Sequence, residues 1–219
     1  RQRWSTLPEM LLPTLLPLLN SRYVVQQTEP RPREMPLYAH STSYRDWVQA
    51  WTLWLIRSSR PGDAASLFHI FTSVVRDHDV GIAQYLLPHL VLHILISGSS
   101  QQRRTVLGES LAVLADQAHP ALGYEPERRR LTAQTLFHVL DHVGHWMRRM
   151  RLVPLRMARR SRWRDALSDV QAIMDELSPD LLAQASLQCD AYARALLHLE
   201  YRLRAITPQP SESLHPYYQ

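Results

Sequence analysis

Three histidines stand at spacings of four and three in the stretch FHVLDHVGHW: His138, His142 and His145. At about 100° per residue these spacings put all three on one side of a helix. The pair His138 and His142 has the i, i+4 relation that can chelate zinc. The same helix carries Leu136, Leu140, Val143 and Met147 as an apolar stripe on the opposite side. The histidines therefore face solvent or a neighbouring helix, with Asp141 as their one nearby acid and no HExxH beside them. A polar helix face outweighs a metal site on these terms. His89 and His93 form a second four-residue pair, on a mostly apolar helix, and are expected to be packing histidines.

A second cluster is basic. The stretch RRMRLVPLRMARRSRWR, residues 148–164, holds eight arginines around Pro154 and Trp163. Arg148, Arg149, Arg151, Arg159, Arg160, Arg162 and Arg164 are its candidate contacts for a phosphate backbone or an acidic partner, with Trp163 available for stacking. A nuclear address is a further use for such a run. The plainest alternative is a solvated basic connector, and it carries the most weight. Phosphate-cradling glycine motifs, the GxSxG elbow and the kinase catalytic set are all absent from the sequence. No residue is assigned to catalysis or to a cofactor. Trp47, Trp51 and Trp54 have helical spacing and belong to a core rather than to a ligand cage. Cys189, the one cysteine, excludes an internal disulfide and fits a reducing compartment.

The elements that must position these side chains are helical. With 15 prolines against 6 glycines, the 219 residues favour helices broken by prolines over sheets with tight glycine turns. All 25 basic side chains are arginine, against 20 acidic ones. Period-3.6 patterns predict helices near 7–20, 43–58, 62–77, 80–97, 100–118, 126–152, 162–177 and 179–206. No alternating strand pattern appears. Residues 1–23 read as an N-terminal helix, 24–42 as a proline-rich connector, 43–206 as a helical repeat segment, and 207–219 as a disordered tail. Ser178 before Pro179 reads as a helix N-cap. The expected fold is all-α: an α-solenoid of antiparallel pairs of the HEAT or TPR type, about eight helices in all.

The apolar run YLLPHLVLHILISGS, residues 85–99, is shorter than the roughly 20 residues of a membrane span and contains two histidines. It reads as a buried helix disturbed at Pro88, and no membrane partner is expected. Its seam residues are Tyr85, Leu86, Leu90 and Ile94. On the last helix Leu182, Cys189, Tyr192, Leu196, Leu199 and Leu203 are expected to share a buried face. The sequence opens on RQRWSTLPEM, without an initiator methionine or a secretory signal, as a piece of something longer would.

Four stretches, taken in order, resemble the ATR group of DNA-damage checkpoint kinases, within the phosphatidylinositol-3-kinase-related kinases. They are LLPLLNSRYV with PLYAHSTSYRDWVQAW, then YLLPHLVLHIL, TAQTLFHVLDHVGHW and LLAQASLQCDAYARALLHLE. The resemblance implies a helical solenoid segment before or entering the FAT region of a nuclear Ser/Thr protein kinase that answers replication stress. It implies a non-catalytic scaffold whose partners are the rest of the parent kinase and the proteins of its checkpoint complex. ATP and magnesium would belong to a kinase domain elsewhere, with no cofactor on this chain. Of the histidines, only His142 falls on a family element, and the arginine-rich stretch falls on a variable connector. An Arg-rich helical module gripping nucleic acid is the alternative from the residues alone. Ser100–Gln101 has the Ser-Gln form that these kinases phosphorylate.

Overall fold

The computed structural model describes residues 34–77, 80–119, 125–152 and 160–206. The N-terminal helix expected at 7–20, most of the connector, Arg159, and the tail 207–219 lie outside them. Ten helices are described: α1 Leu37–His40, α2 Tyr44–Ser58, α3 Asp63–Ile70, α4 Thr72–Asp77, α5 Val80–Ser97, α6 Ser100–Ala118, α7 Pro126–Leu152, α8 Arg160–Asp175, α9 Pro179–Leu187 and α10 Tyr192–Ile206. There is no strand among the described residues. The chain is an all-α solenoid.

The apolar helix α5 is its centre. By length and composition it could cross a membrane. Instead it packs against α2, α4, α6, α7 and α8. Leu86, Leu87, Leu90, Val91, Ile94 and Leu95 are buried at three- and four-residue spacing, which is the arithmetic of a helix with one wide core face. Pro88 sits buried inside an unbroken helix. Tyr85, expected in the seam, is 72% exposed. It stands one residue ahead of Leu86, about 100° round the helix, and shares the outer side with His89, ring centroids 5.6 Å apart. The helix ends at Gly98, where a Cβ would come within 2.4 Å of the Ile94 carbonyl oxygen. Ser99 then caps α6: its hydroxyl accepts from the Gln102 amide, and the Gln102 side chain accepts from the Ser99 amide. The Gln102 side chain also donates to the Ser58 carbonyl, tying the start of α6 to the end of α2.

Around α5 the core is completed by Trp47, Trp51, Leu55 and Ile56 of α2, Val113 and Leu114 of α6, Leu136, Val143 and Met147 of α7, and Val170 of α8. Trp47 stacks on Trp51 with centroids 5.3 Å apart. Trp54 and Leu140 are partly buried at the edge of this cluster.

Two elements depart from expectation. The helix foreseen over 62–77 is interrupted at Phe71. The helix foreseen over 179–206 is two helices. After α9 the chain turns through Asp190 at φ +58°. The Ala191 amide reaches the Ser186 carbonyl at 2.9 Å and the Asp190 amide reaches Leu187 at 3.1 Å. That is a Schellman stop with aspartate in the left-handed position, one of the few non-glycine residues that tolerate it. Ser178 precedes Pro179 at the start of α9, but its hydroxyl makes no capping bond.

Candidate interaction site

The histidine helix forms as α7, but its histidines do not converge. His138 and His145 are exposed. His145 Nδ1 lies 3.0 Å from the Asp141 carbonyl oxygen within its own helix. His142 turns toward α5 and meets His89 edge to face, centroids 4.6 Å apart. Burial, then the neighbouring His89, His138 and His145, push the His142 pKa below its ordinary value. His93 on α5 meets Phe68 of α3 edge to face, centroids 5.7 Å apart, and burial lowers its pKa. Asp141 is already engaged: Arg194 of α10 clasps both its oxygens at 2.8 and 2.6 Å. That grip holds the Asp141 carboxyl below the usual carboxylate range. Among the described residues no three His, Cys, Asp or Glu side chains are grouped to hold a metal ion.

Of the arginine cluster, Arg148, Arg149, Arg151 and Arg164 are exposed. Arg151 donates to the Gln171 side chain at 2.5 Å, bracing α7 on α8. Trp163 is 48% exposed. The side chains of Arg160 and Arg162 lie outside the described residues. Arg103 of α6 meets Asp169 of α8 at 2.5 Å, a second brace on the same flank.

One densely bonded, buried polar group is one that sequence reasoning passed over. Glu109 is fully buried on α6. Its Oε2 accepts from the Leu37 amide at 2.7 Å, and its Oε1 from the Tyr38 amide at 2.8 Å and from Trp47 Nε1 at 2.7 Å. The carboxylate thus receives the free amides at the start of α1 and fastens that segment to α2 and α6. Tyr38 extends the knot: its hydroxyl donates to Asp116 at 2.5 Å, its carbonyl accepts from Arg128 at 2.9 Å, and the Arg128 guanidinium lies 4.8 Å over its ring. Burial pushes the Glu109 carboxyl pKa up, against the pull of the three N–H donors. Burial and the adjacent Asp116 push the Tyr38 phenol up as well. The signal was present in the sequence. Glu109 interrupts the stripe Val106, Val113 at three- and four-residue spacing, where a charge needs a partner.

The other unusual feature is α10. Tyr192 and Leu196, expected in the core, are 61% and 62% exposed, and Leu199 and Leu203 are 36% and 61% exposed. The Schellman stop is the reason. It resets the helical phase, so α10 turns Ala195 inward while Leu182 and Cys189 remain buried in α9 and its turn. Burial raises the Cys189 thiol pKa, as for a packing cysteine. A shallow depression lined by Glu34, His40, Thr42 and Asp46 opens beside α1. These arrangements brace helices against one another and present an apolar ridge and a basic flank.

Comparison with known proteins agrees with this architecture. The profile of the M-HEAT region of serine/threonine-protein kinase ATR matches residues 31–219. The protein kinase rad3 of Schizosaccharomyces pombe is 25% identical over 94% of this chain and 9% of its own length. The serine/threonine-protein kinase ATR of Arabidopsis thaliana is 27% identical over 97% of the chain and 9% of its own. The serine/threonine-protein kinase MEC1 of Eremothecium gossypii is 23% identical over 99% and 10%. The chain spans about a tenth of the length of these relatives. No solved structure matches it. With a family profile covering most of the residues, and a helical solenoid beneath it, the chain belongs to the M-HEAT family of ATR kinases.

Proposed function

We propose that this chain is a non-catalytic scaffold segment of an ATR-like Ser/Thr protein kinase that acts in the nucleus in DNA-damage and replication-stress checkpoint signalling. The observation that supports this most is the family match over residues 31–219, joined to an interior given over to packing and to helix-bracing polar knots. In this reading the segment works mechanically. Stacked helices held at fixed angles by α5 and by the Glu109 knot keep the preceding and following parts of the longer polypeptide, and the proteins of its checkpoint complex, in one geometry. ATP and magnesium would be held by a kinase domain elsewhere in that polypeptide.

The test uses the full-length kinase carrying Leu90→Asp in cells that lack their own copy. Leu90 is fully buried in α5, and an unpaired carboxylate there costs several kcal/mol, on the order of the loss seen when a buried charge lacks its partner. The expected outcome is local unfolding, a lowered melting temperature of the segment, and loss of survival under replication stress. A variant that kept the wild-type melting temperature would sink the buried-helix assignment. One that unfolded the segment yet left survival intact would sink the scaffold role.

The exposed arginines of α7 and α8 and the half-exposed Trp163 support a second reading, a surface that contacts nucleic acid. DNA affinity falling steeply with salt, and lost when Arg148, Arg149, Arg151 and Arg164 become Gln, is the outcome that reading requires.

A further inference from the structure

We propose that the outer face of the second half of α7 docks an acidic protein segment, a helix with carboxylates along one side and a large apolar side chain at one end. This rests on the scaffold reading of the chain and gives the chemistry of one of the proteins that the scaffold holds.

Two motifs that stand apart in the sequence share this face. At about 100° per residue, His138, Asp141, His145, Arg148, Arg149 and Leu152 fall within an arc of about 100°. The arc lies on the side of α7 away from the buried Leu136, Val143 and Met147, and all six residues are exposed. From His138 to Leu152 the face runs for roughly 21 Å at 1.5 Å per residue, about four turns. Its one acid is already engaged, because Arg194 of α10 clasps both oxygens of Asp141 at 2.8 and 2.6 Å. Among the described residues Arg148 and Arg149 make no ion pair. Arg151, on the flank, donates to the neutral side chain of Gln171, which leaves its charge uncompensated too. The residues that follow in sequence, VPLRMAR at 153–159, hold no acid and two more arginines. The end of α7 therefore concentrates positive charge that no carboxylate among the described residues answers.

The rest of the face selects the kind of anion. Leu152 is 82% exposed and stands one turn beyond Arg148 on the same side. An aliphatic side chain offers a phosphate backbone nothing to bond, whereas it gives a protein partner an apolar contact beside the charges. The face carries no Phe, Tyr or Trp on which bases could stack. Its arginines are gathered at one end, rather than spread along the four turns as a groove tracking a nucleic-acid backbone would have them. A second copy of this chain meeting it by the same face would set arginine against arginine. The complement is a helix of about four turns. Its Asp or Glu residues, at three- and four-residue spacing, meet the guanidinium forks of Arg148 and Arg149. A Leu, Met or Phe at its end seats on Leu152. Charge brings such a partner in and fixes its register, and the apolar contact distinguishes it from other polyanions.

The experiment measures binding of fluorescent helical peptides of about 15 residues to the full-length kinase at about 0.15 M salt. One peptide carries glutamates at three- and four-residue spacing and a leucine at its end. A second has serine in place of that leucine, and a third has lysines in place of the glutamates. The first is expected to bind the wild type several-fold more tightly than the second does. It should bind Arg148→Glu/Arg149→Glu at least about tenfold more weakly, and Leu152→Ser several-fold more weakly. The lysine peptide should bind the double variant better than the wild type, a recovery that a merely unfolded variant could not give. Affinity for the first peptide that neither variant changes would overturn the proposal. So would equal binding of the leucine and serine peptides, or a lysine peptide that gains nothing on the double variant. A DNA duplex that binds the wild type more tightly than the first peptide, and loses this on the double variant, would overturn it in favour of nucleic acid. A fall in oligomeric mass on the double variant would overturn it in favour of a second copy. The scaffold reading would survive each of these, because it stands or falls on the Leu90→Asp survival assay.

Discussion

Replacing Glu109 by Gln is the sharpest probe of what holds this segment together. The amide keeps the volume and can keep its oxygen at the Oε1 position, where the Tyr38 amide and Trp47 Nε1 donate. Its NH2 group then faces the Leu37 amide, which donates to Oε2 in the native protein. One buried donor loses its acceptor and meets another donor, at about 1–3 kcal/mol. Part of that is offset, because burial disfavours the ionised carboxylate and the amide carries no charge. The net expectation is a loss of about 1–2 kcal/mol near neutral pH, or roughly 2–8 °C in melting temperature for a chain of this size.

The loss should also depend on pH in a definite direction. The folded pKa of Glu109 is raised, so the folded state binds the proton more tightly than the unfolded one. Its contribution is fully present below the unfolded value and is lost as pH rises through the folded value. The gap between wild type and Glu109→Gln should therefore be widest below the unfolded carboxyl value of about 4.3 and narrow as pH rises above it. Glu109→Ala strands all three donors and opens a cavity, for about 3–5 kcal/mol. The assays are thermal unfolding followed by circular dichroism, and amide hydrogen exchange at Leu37 and Tyr38, which should speed up in both variants. If Glu109→Gln stayed within about 0.3 kcal/mol of wild type between pH 5 and pH 8, with those two amides still protected, the knot would not be what fastens α1.

Three further predictions follow from single contacts. Asp190→Val should destabilise by about 1–2 kcal/mol, since a β-branched residue resists the left-handed backbone of the Schellman stop. Asp190→Gly should not destabilise, and equal effects of the two in urea unfolding would refute the strain argument. A double-mutant cycle on Arg194 and Asp141, whose side chains are 26% and 49% exposed, should give a coupling of only about 0.5–1 kcal/mol that shrinks as salt is added. A coupling of zero at low salt would show that the clasp does not form. Burial lowers the pKa values of His93, His142 and His198. Their neutral forms belong to the fold, so stability is fully present above the unfolded value near 6.5 and is lost as pH falls through the folded values. His142→Gln should flatten the decline in melting temperature between about pH 6.5 and pH 5, and an unchanged slope would count against it.

Much of the fold was legible because apolar spacing is a local property. α2, α5, α6 and α7 begin and end within a residue or two of where period-3.6 patterns put them. Leu86, Leu90, Ile94, Leu136, Val143 and Met147 are buried as a stripe requires. Tyr85 was misjudged because an aromatic beside a stripe is apolar in type yet points about 100° away from it. Tyr192 and Leu196 were misjudged because no glycine or proline announces the break at 188–191. The Schellman stop is written in backbone hydrogen bonds and one positive φ, and aspartate gives little warning of it.

By itself the sequence determined the helical class, the central apolar helix and the absence of familiar catalytic motifs, since each depends on residue types and short spacings. It also carried the four ordered stretches by which the family can be told. Tertiary structure alone decided which polar groups matter. Glu109, Tyr38 and Trp47 lie 62 to 72 residues from their partners in the knot, so local spacing marks Glu109 as a charge in need of a partner but does not tell which groups supply it. It likewise decided that Asp141 serves Arg194 rather than the neighbouring histidines. And it left the leucines of α10 facing outward, because a helix's phase is fixed by the turn before it and by what its inner side already holds.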